Sequence, residues 1–134
     1  MDELRSKCYK DKIQHIFDYI QDLPLIPNNE LEKRGIYYSL QTSIEATVDL
    51  IAMLVKDLGI QVKDDNNNIN EIIKIKKLKP ELGEKLKKAN GLRNIIVHRY
   101  NDIDDQTILE SVQEVKALLL DWVKIVEDTL DEIG

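Results

Sequence analysis

The chain has 134 residues, a net charge of −6, 43% hydrophobic and 5% aromatic residues, and a single cysteine. That length suits one domain spanning residues 1–134, and the excess of Leu, Ile, Val, Lys, Glu and Asp over aromatics predicts an all-α protein. The lone Cys8 excludes an internal disulfide and a cysteine-rich zinc site; with no leader-like start and no uncharged apolar run of about 18 residues, a soluble, cytoplasmic protein without a membrane partner is expected.

In chain order, residues 2–22 space Leu4, Cys8, Ile13, Ile16, Phe17 and Ile20 near 3.6 residues, predicting an amphipathic helix that Pro24 and Pro27 end. Cys8 is expected to be a small buried hydrophobe, and His15 a surface or boundary residue. Tyr9, Tyr19, Tyr37 and Tyr38 are read as core-edge aromatics with solvated hydroxyls. From about Asn29 to Leu58, Ile36, Leu40, Ile44, Val48, Ile51 and Val55 predict a helix of roughly eight turns, with Gly59 as its C-terminal cap. Residues 60–68, ending in DDNNN, read as an exposed loop before a short helix near Asn70–Leu78.

Pro80 suits the first turn of a further helix. Leu82, Leu86, Ala89, Leu92, Ile96 and Tyr100 keep helical spacing through Asn90-Gly91, so one helix, kinked or straight, is expected. NDIDD at 101–105 reads as a turn into an N-cap. The last helix repeats Ile108, Val112, Val115, Leu119, Trp122, Val126 and Leu130 almost as a heptad seam, with Trp122 anchoring the core or a dimer seam. Five helices joined by short loops make an up-and-down bundle.

Charge is unevenly spread. Residues 1–70 carry −4, residues 71–100 carry +6 and residues 101–134 carry −8. The basic block, with Lys74, Lys76, Lys77, Lys79, Lys85, Lys87 and Lys88 around Arg93 and Arg99, reads either as a solvated helix face or as a phosphate-tracking surface. It ends in RNIIVHRY, residues 93–100. At 100° per residue Asn94 and His98 lie about 40° apart, so the amide can orient the imidazole, and Arg93 and Tyr100 lie about 20° apart on one stripe. Arg93 and His98 are about 140° apart, awkward for two groups meeting one phosphate. Either the helix ends near His98 or the site combines two chains.

A histidine that titrates near neutrality and a permanently charged arginine suit metal-free RNA cleavage. His98 would take the 2′-hydroxyl proton, and Arg93 would stabilise charge on the phosphoryl oxygens. An acid for the leaving 5′-oxygen is still needed, and a second copy of His98 in a symmetric dimer would supply it. No cofactor is implied. The alternatives are a non-catalytic helical dimerisation scaffold that docks a partner protein, and a nucleotide-binding protein using the lysine-rich helix, although no glycine-rich phosphate loop is present. Glu45 and Asp49, one turn apart on the second helix, are candidates to hold Arg93 or an approaching partner protein.

Arginine, asparagine, three apolar residues, histidine, any residue and tyrosine at a helix end resemble the HEPN superfamily, and more closely the HepT toxin family. ELGEKLKKANGLRNIIVHRYNDID is similar to that family's central helix and GIYYSLQTSIEATVDLIAMLVKDLG to its second. The resemblance implies a metal-independent ribonuclease toxin, a homodimer with active sites where two motifs approach, acting on RNA. It carries over Arg93 and His98 as catalytic residues, Asn94 as their polar support, and Tyr100 as the tyrosine to which a minimal nucleotidyltransferase antitoxin, MntA, transfers AMP. Phosphate added there would block and neutralise the arginine stripe. Lys85, Lys87, Lys88 and Arg99 are the accompanying candidates for RNA contact.

Overall fold

A computed structural model describes residues 1–102 and 104–134. Helix α1, Glu3–Ile20, starts where Asp2 accepts a hydrogen bond from the Arg5 backbone N–H at 2.7 Å. Its buried seam is Tyr9, Ile13, Ile16 and Ile20. This corrects the sequence expectation: Cys8 is exposed and Leu4 is 79% exposed. Tyr9 is instead fully buried, because the steps 9, 13, 16, 20 face the core while 4 and 8 lie on the adjoining stripe.

Helix α2, Glu30–Asp57, is capped by Asn29, whose side chain accepts from Glu32 N–H at 2.8 Å. It ends in a Schellman turn, with Gly59 at φ 81°, its N–H on Lys56 O and the Ile60 N–H on Val55 O. Helix α3, Asp65–Ile75, begins five residues before the expected start. Asp64 caps it through the Asn67 N–H at 2.8 Å, and buried Asn68 bonds both backbone groups of Lys63. What reads as a polar loop is therefore the cap and first turn of a helix. Its end also comes early, at a second Schellman turn where Lys77 adopts φ 53° without the glycine that would have signalled it.

Helix α4, Pro80–His98, runs unbroken through Asn90-Gly91. A 3₁₀ turn over Tyr100–Asp102 follows, and helix α5, Asp105–Ile133, completes the bundle. Ile103, inside the expected 101–105 turn, lies outside the described residues; Asp104 is the α5 N-cap residue and accepts from the Thr107 hydroxyl at 2.7 Å.

Helix α2 is the axis of the bundle and packs against each of the other four helices. Consecutive long helices run antiparallel: His15 meets Thr42 and Arg5 meets Asp57 across α1 and α2, and Arg93 meets Glu45 across α2 and α4. Trp122 is fully buried in α5 and donates to Leu82 O in α4, which makes it a core anchor. Gly83 allows α3 and α4 to close, since a Cβ there would sit 2.9 Å from Ile73 Cγ1. The predicted α5 seam is buried from Ile108 to Val126, with Leu130 partly covered. Among the described residues no helix is long and apolar enough to cross a membrane.

Candidate active site

The last two turns of α4 carry the motif, and the packing of α4 against α2 divides it. Arg93 faces α2, where its Nε and Nη2 donate to Glu45 Oε1 at 2.9 and 2.6 Å. Its Nη1 donates to Asn94 Oδ1 at 2.6 Å. A guanidinium bonded at three nitrogens has one orientation, and both partners stand on helices. Of the two carboxylates considered for this task, Glu45 holds Arg93, whereas Asp49 faces Lys12 of α1 at 3.6 Å.

His98 is the last residue of α4 and is exposed. Among the described residues its ring has no hydrogen-bond partner. Asn94 thus serves Arg93 rather than the imidazole, because the arginine fork reaches the neighbouring amide first. The helix ends here: Arg99 adopts φ −132°, ψ 34°, its N–H bonds Ile95 O at 2.9 Å, and the chain turns. The angular stripe that would join Arg93 to Tyr100 therefore stops two residues short of Tyr100.

Tyr100 belongs to the turn and is positioned by α2 and α5 instead. Its ring meets Tyr37 edge-on, centroids 6.0 Å apart. Tyr37 is buried, not solvated at a core edge, and its hydroxyl donates to Asp105 at the start of α5. Lys33 Nζ donates to the other Asp105 oxygen at 2.8 Å. The Lys33 and Tyr37 hydrogen bonds hold the Asp105 carboxyl below the ordinary carboxylate range, and burial, then Asp105, pushes the Tyr37 hydroxyl up. Nothing in the sequence spacing marks this three-residue clamp, whose members lie 68 and 72 residues apart.

Tyr100 is 40% exposed and shares a cavity of about 360 Å³ with Arg34, Tyr37, Tyr38, Gln41 and Ile96. The basic block is not gathered around Arg93. Lys76 pairs with Glu132 and Lys87 with Glu84, while Lys85 and Lys88 line a groove between α4 and α5. Arg99 alone of the four RNA-contact candidates adjoins His98, and it is exposed. His15 is a boundary residue, its Nε2 2.8 Å from Thr42 Oγ1. The described residues contain no cluster of three His, Cys, Asp or Glu side chains able to hold a metal ion.

An all-α bundle with an Arg-x4-His pair at the end of its fourth helix, the arginine clamped and the histidine open to solvent, is the arrangement that the resemblance to the HEPN superfamily implies. The family described as Ribonuclease HepT-like matches residues 9–124, and the chain belongs to it. A candidate RNase of Archaeoglobus fulgidus is 45% identical over 97% of this chain and 98% of its own length; a second from the same organism is 38% identical over 80% of each. Two solved structures share the fold at 18% identity. One is a mutant of the MntA-HpeT toxin-antitoxin, with TM-score 0.79 over 90% of this chain and 98% of the other. The second is a tri-AMPylated Shewanella oneidensis HEPN toxin in complex with MNT antitoxin, with TM-score 0.73 over 96% and 99%.

Proposed function

We propose that the chain acts as a single-domain, cytoplasmic ribonuclease toxin that cleaves RNA without a metal. The observation that carries this reading is the contrast at the end of α4: Arg93 is fixed by Glu45 and Asn94, while His98, five residues on, is exposed and has no hydrogen-bond partner among the described residues. His98 accepts the 2′-hydroxyl proton as the 2′-oxygen attacks phosphorus. The fixed guanidinium of Arg93 stabilises the negative charge that builds on the non-bridging oxygens, and the bond to the 5′-oxygen breaks. The products are a 2′,3′-cyclic phosphate and a 5′-hydroxyl, the departing oxygen taking a proton from a second imidazole.

Arg93 points to α2 and His98 away from it, about 140° around the helix, so one chain does not surround a phosphate with both. The active unit is therefore a homodimer in which two motifs meet. Asn94 and Glu45 act as positioning residues for Arg93, and Arg99, with Lys85, Lys87 and Lys88, attracts the RNA backbone.

Control rests on Tyr100. A partner nucleotidyltransferase of the MntA type transfers AMP from ATP to its hydroxyl, releasing pyrophosphate, and the anionic bulk closes the site. The AMPylated state named for the Shewanella oneidensis toxin supports this reading, as does the exposure of Tyr100 here.

The deciding measurement is cleavage of single-stranded RNA in EDTA. Wild type should cut, and His98→Ala should be slower by about 10²–10⁴ fold. Equal rates would overturn the assignment, and a protein that binds the nucleotidyltransferase without cutting RNA would be a scaffold. Incubation with the nucleotidyltransferase and ATP should add AMP-sized mass to wild type and none to Tyr100→Phe, and sedimentation at micromolar concentration should show a dimer.

A further inference from the structure

We propose that the cavity beside Tyr100 is a nucleotide subsite for the RNA strand, taking an unpaired base against Tyr38 and the adjoining phosphate at Arg34. The proposal rests on the reading of the chain as a ribonuclease. Arg34, Tyr38 and Gln41 recur at four and three residues and so share one face of α2. Gln41 lies one turn before Glu45, the residue that holds Arg93. The cavity therefore lies about 6 Å of helical rise along α2 from Glu45, through which it adjoins Arg93 of α4.

Tyr38 is 55% exposed, yet its ring is braced from behind. It meets Tyr19 edge-on at 5.8 Å, Tyr19 lies 4.6 Å from His15, and His15 is bonded back to Thr42 of α2. Tyr100, on the other side, rests on Tyr37, which Asp105 anchors. Two exposed aromatic faces held by bonded partners lose little further freedom when a base stacks on them.

The polar lining matches the rest of a nucleotide. The Arg34 side chain is 63% exposed, and its nearest carboxylate, Glu30, stands at 3.7 Å, too far for a hydrogen bond, so its donors are available to a phosphate. Gln41 offers both a donor and an acceptor to a base edge. A purely apolar partner would leave Arg34 and Gln41 without a role, whereas aromatic ring, guanidinium and amide together are what single-stranded nucleic acid uses. The same geometry explains how a group attached to Tyr100 would silence the enzyme: it would fill the lane leading to Arg93.

The test is fluorescence anisotropy with a 5′-labelled single-stranded RNA 12-mer and full-length His98→Ala protein, produced without the nucleotidyltransferase. Adding Tyr38→Ala should weaken binding roughly five- to 100-fold, and Tyr38→Trp should restore it. Adding Arg34→Ala should lower the slope of log affinity against log salt by about 0.7, while Lys124→Ala on α5 leaves it unchanged. In the His98-intact enzyme Tyr38→Ala should raise KM with kcat unchanged. Binding by Tyr38→Ala within twofold of its parent, in protein whose circular dichroism is unaltered, would overturn the subsite while cleavage by wild type still upholds the ribonuclease. A parent that binds no RNA would overturn the subsite, and a wild type that also fails to cut would overturn both.

Discussion

Two arginines are tied to carboxylates of α2, and they stand in different surroundings. Arg5 of α1 donates its Nε to Asp57 Oδ2 at 2.8 Å, the Tyr9 hydroxyl donates to the same oxygen at 2.6 Å, and Arg5 Nη2 reaches Met53 O. The guanidinium also lies 5.5 Å over the Tyr9 ring. Burial raises the Asp57 carboxyl pKa, but the hydrogen bonds from Arg5 and Tyr9 outweigh it and leave it below the ordinary range; burial first, then Asp57, pushes the Tyr9 hydroxyl up. These bonds join residues 48 and 52 apart in sequence, so the cluster latches α1 to α2. Arg93 is held as firmly by Glu45, but one turn further along α4 stands an exposed imidazole that has no hydrogen-bond partner among the described residues. An arginine–carboxylate pair is thus no sign of function in itself; what matters is whether reactive capacity is left over at its edge.

The sharpest way to break that contrast is to remove each arginine's contribution separately. Arg93→Ala should lower RNA cleavage by about 10²–10³ fold, with thermal melting close to wild type, because Glu45 is left partly solvated. Asp57→Asn should do the reverse, costing about 1–3 kcal/mol of stability and several degrees in the melting midpoint, with kcat/KM unchanged at 20 °C. If the two variants moved the same observable, the distinction between latch and site would fail.

Acid sharpens it further. Asp57 and Asp105 have folded-state pKa values below their unfolded ones, so their stabilisation is present above the unfolded aspartate value of about 3.9 and is lost as pH falls through the lowered values. The melting midpoint should drop below about pH 4, and the drop should be shallower in Asp57→Asn. A midpoint level down to pH 2 would contradict both clamps.

Glu45→Gln should have the smallest effect. Both Arg93 bonds end on Oε1, and a glutamine carbonyl oxygen can accept both, so cleavage should stay within about threefold, whereas Glu45→Ala should lower kcat by about tenfold or more through misplacement. Equal losses in the two variants would show that Glu45 acts through its charge rather than by positioning.

Much of the architecture was legible because it follows from periodicity. The α2 and α5 seams, the Gly59 stop and the Pro80 start are local signals, and the structure keeps them to within a residue or two. The polar opening of α3 was not legible, since DDNNN serves equally as a loop or as a capped first turn until Asn68 is buried against Lys63. Nor was the choice between Cys8 and Tyr9, neighbours on α1, because a small error in helix phase exchanges one stripe for the next.

The sequence by itself determined the helical class, the order of the elements and the cluster of candidate residues Arg93, Asn94, His98 and Tyr100. Only the tertiary structure decided how they are divided. Where α4 ends sets Tyr100 apart from the arginine stripe, and which neighbour reaches a polar group first sets Asn94 on Arg93 and Tyr37 on Asp105. Periodicity is a property of a few consecutive residues, whereas a hydrogen bond between residues 48 or 68 apart depends on how whole helices pack.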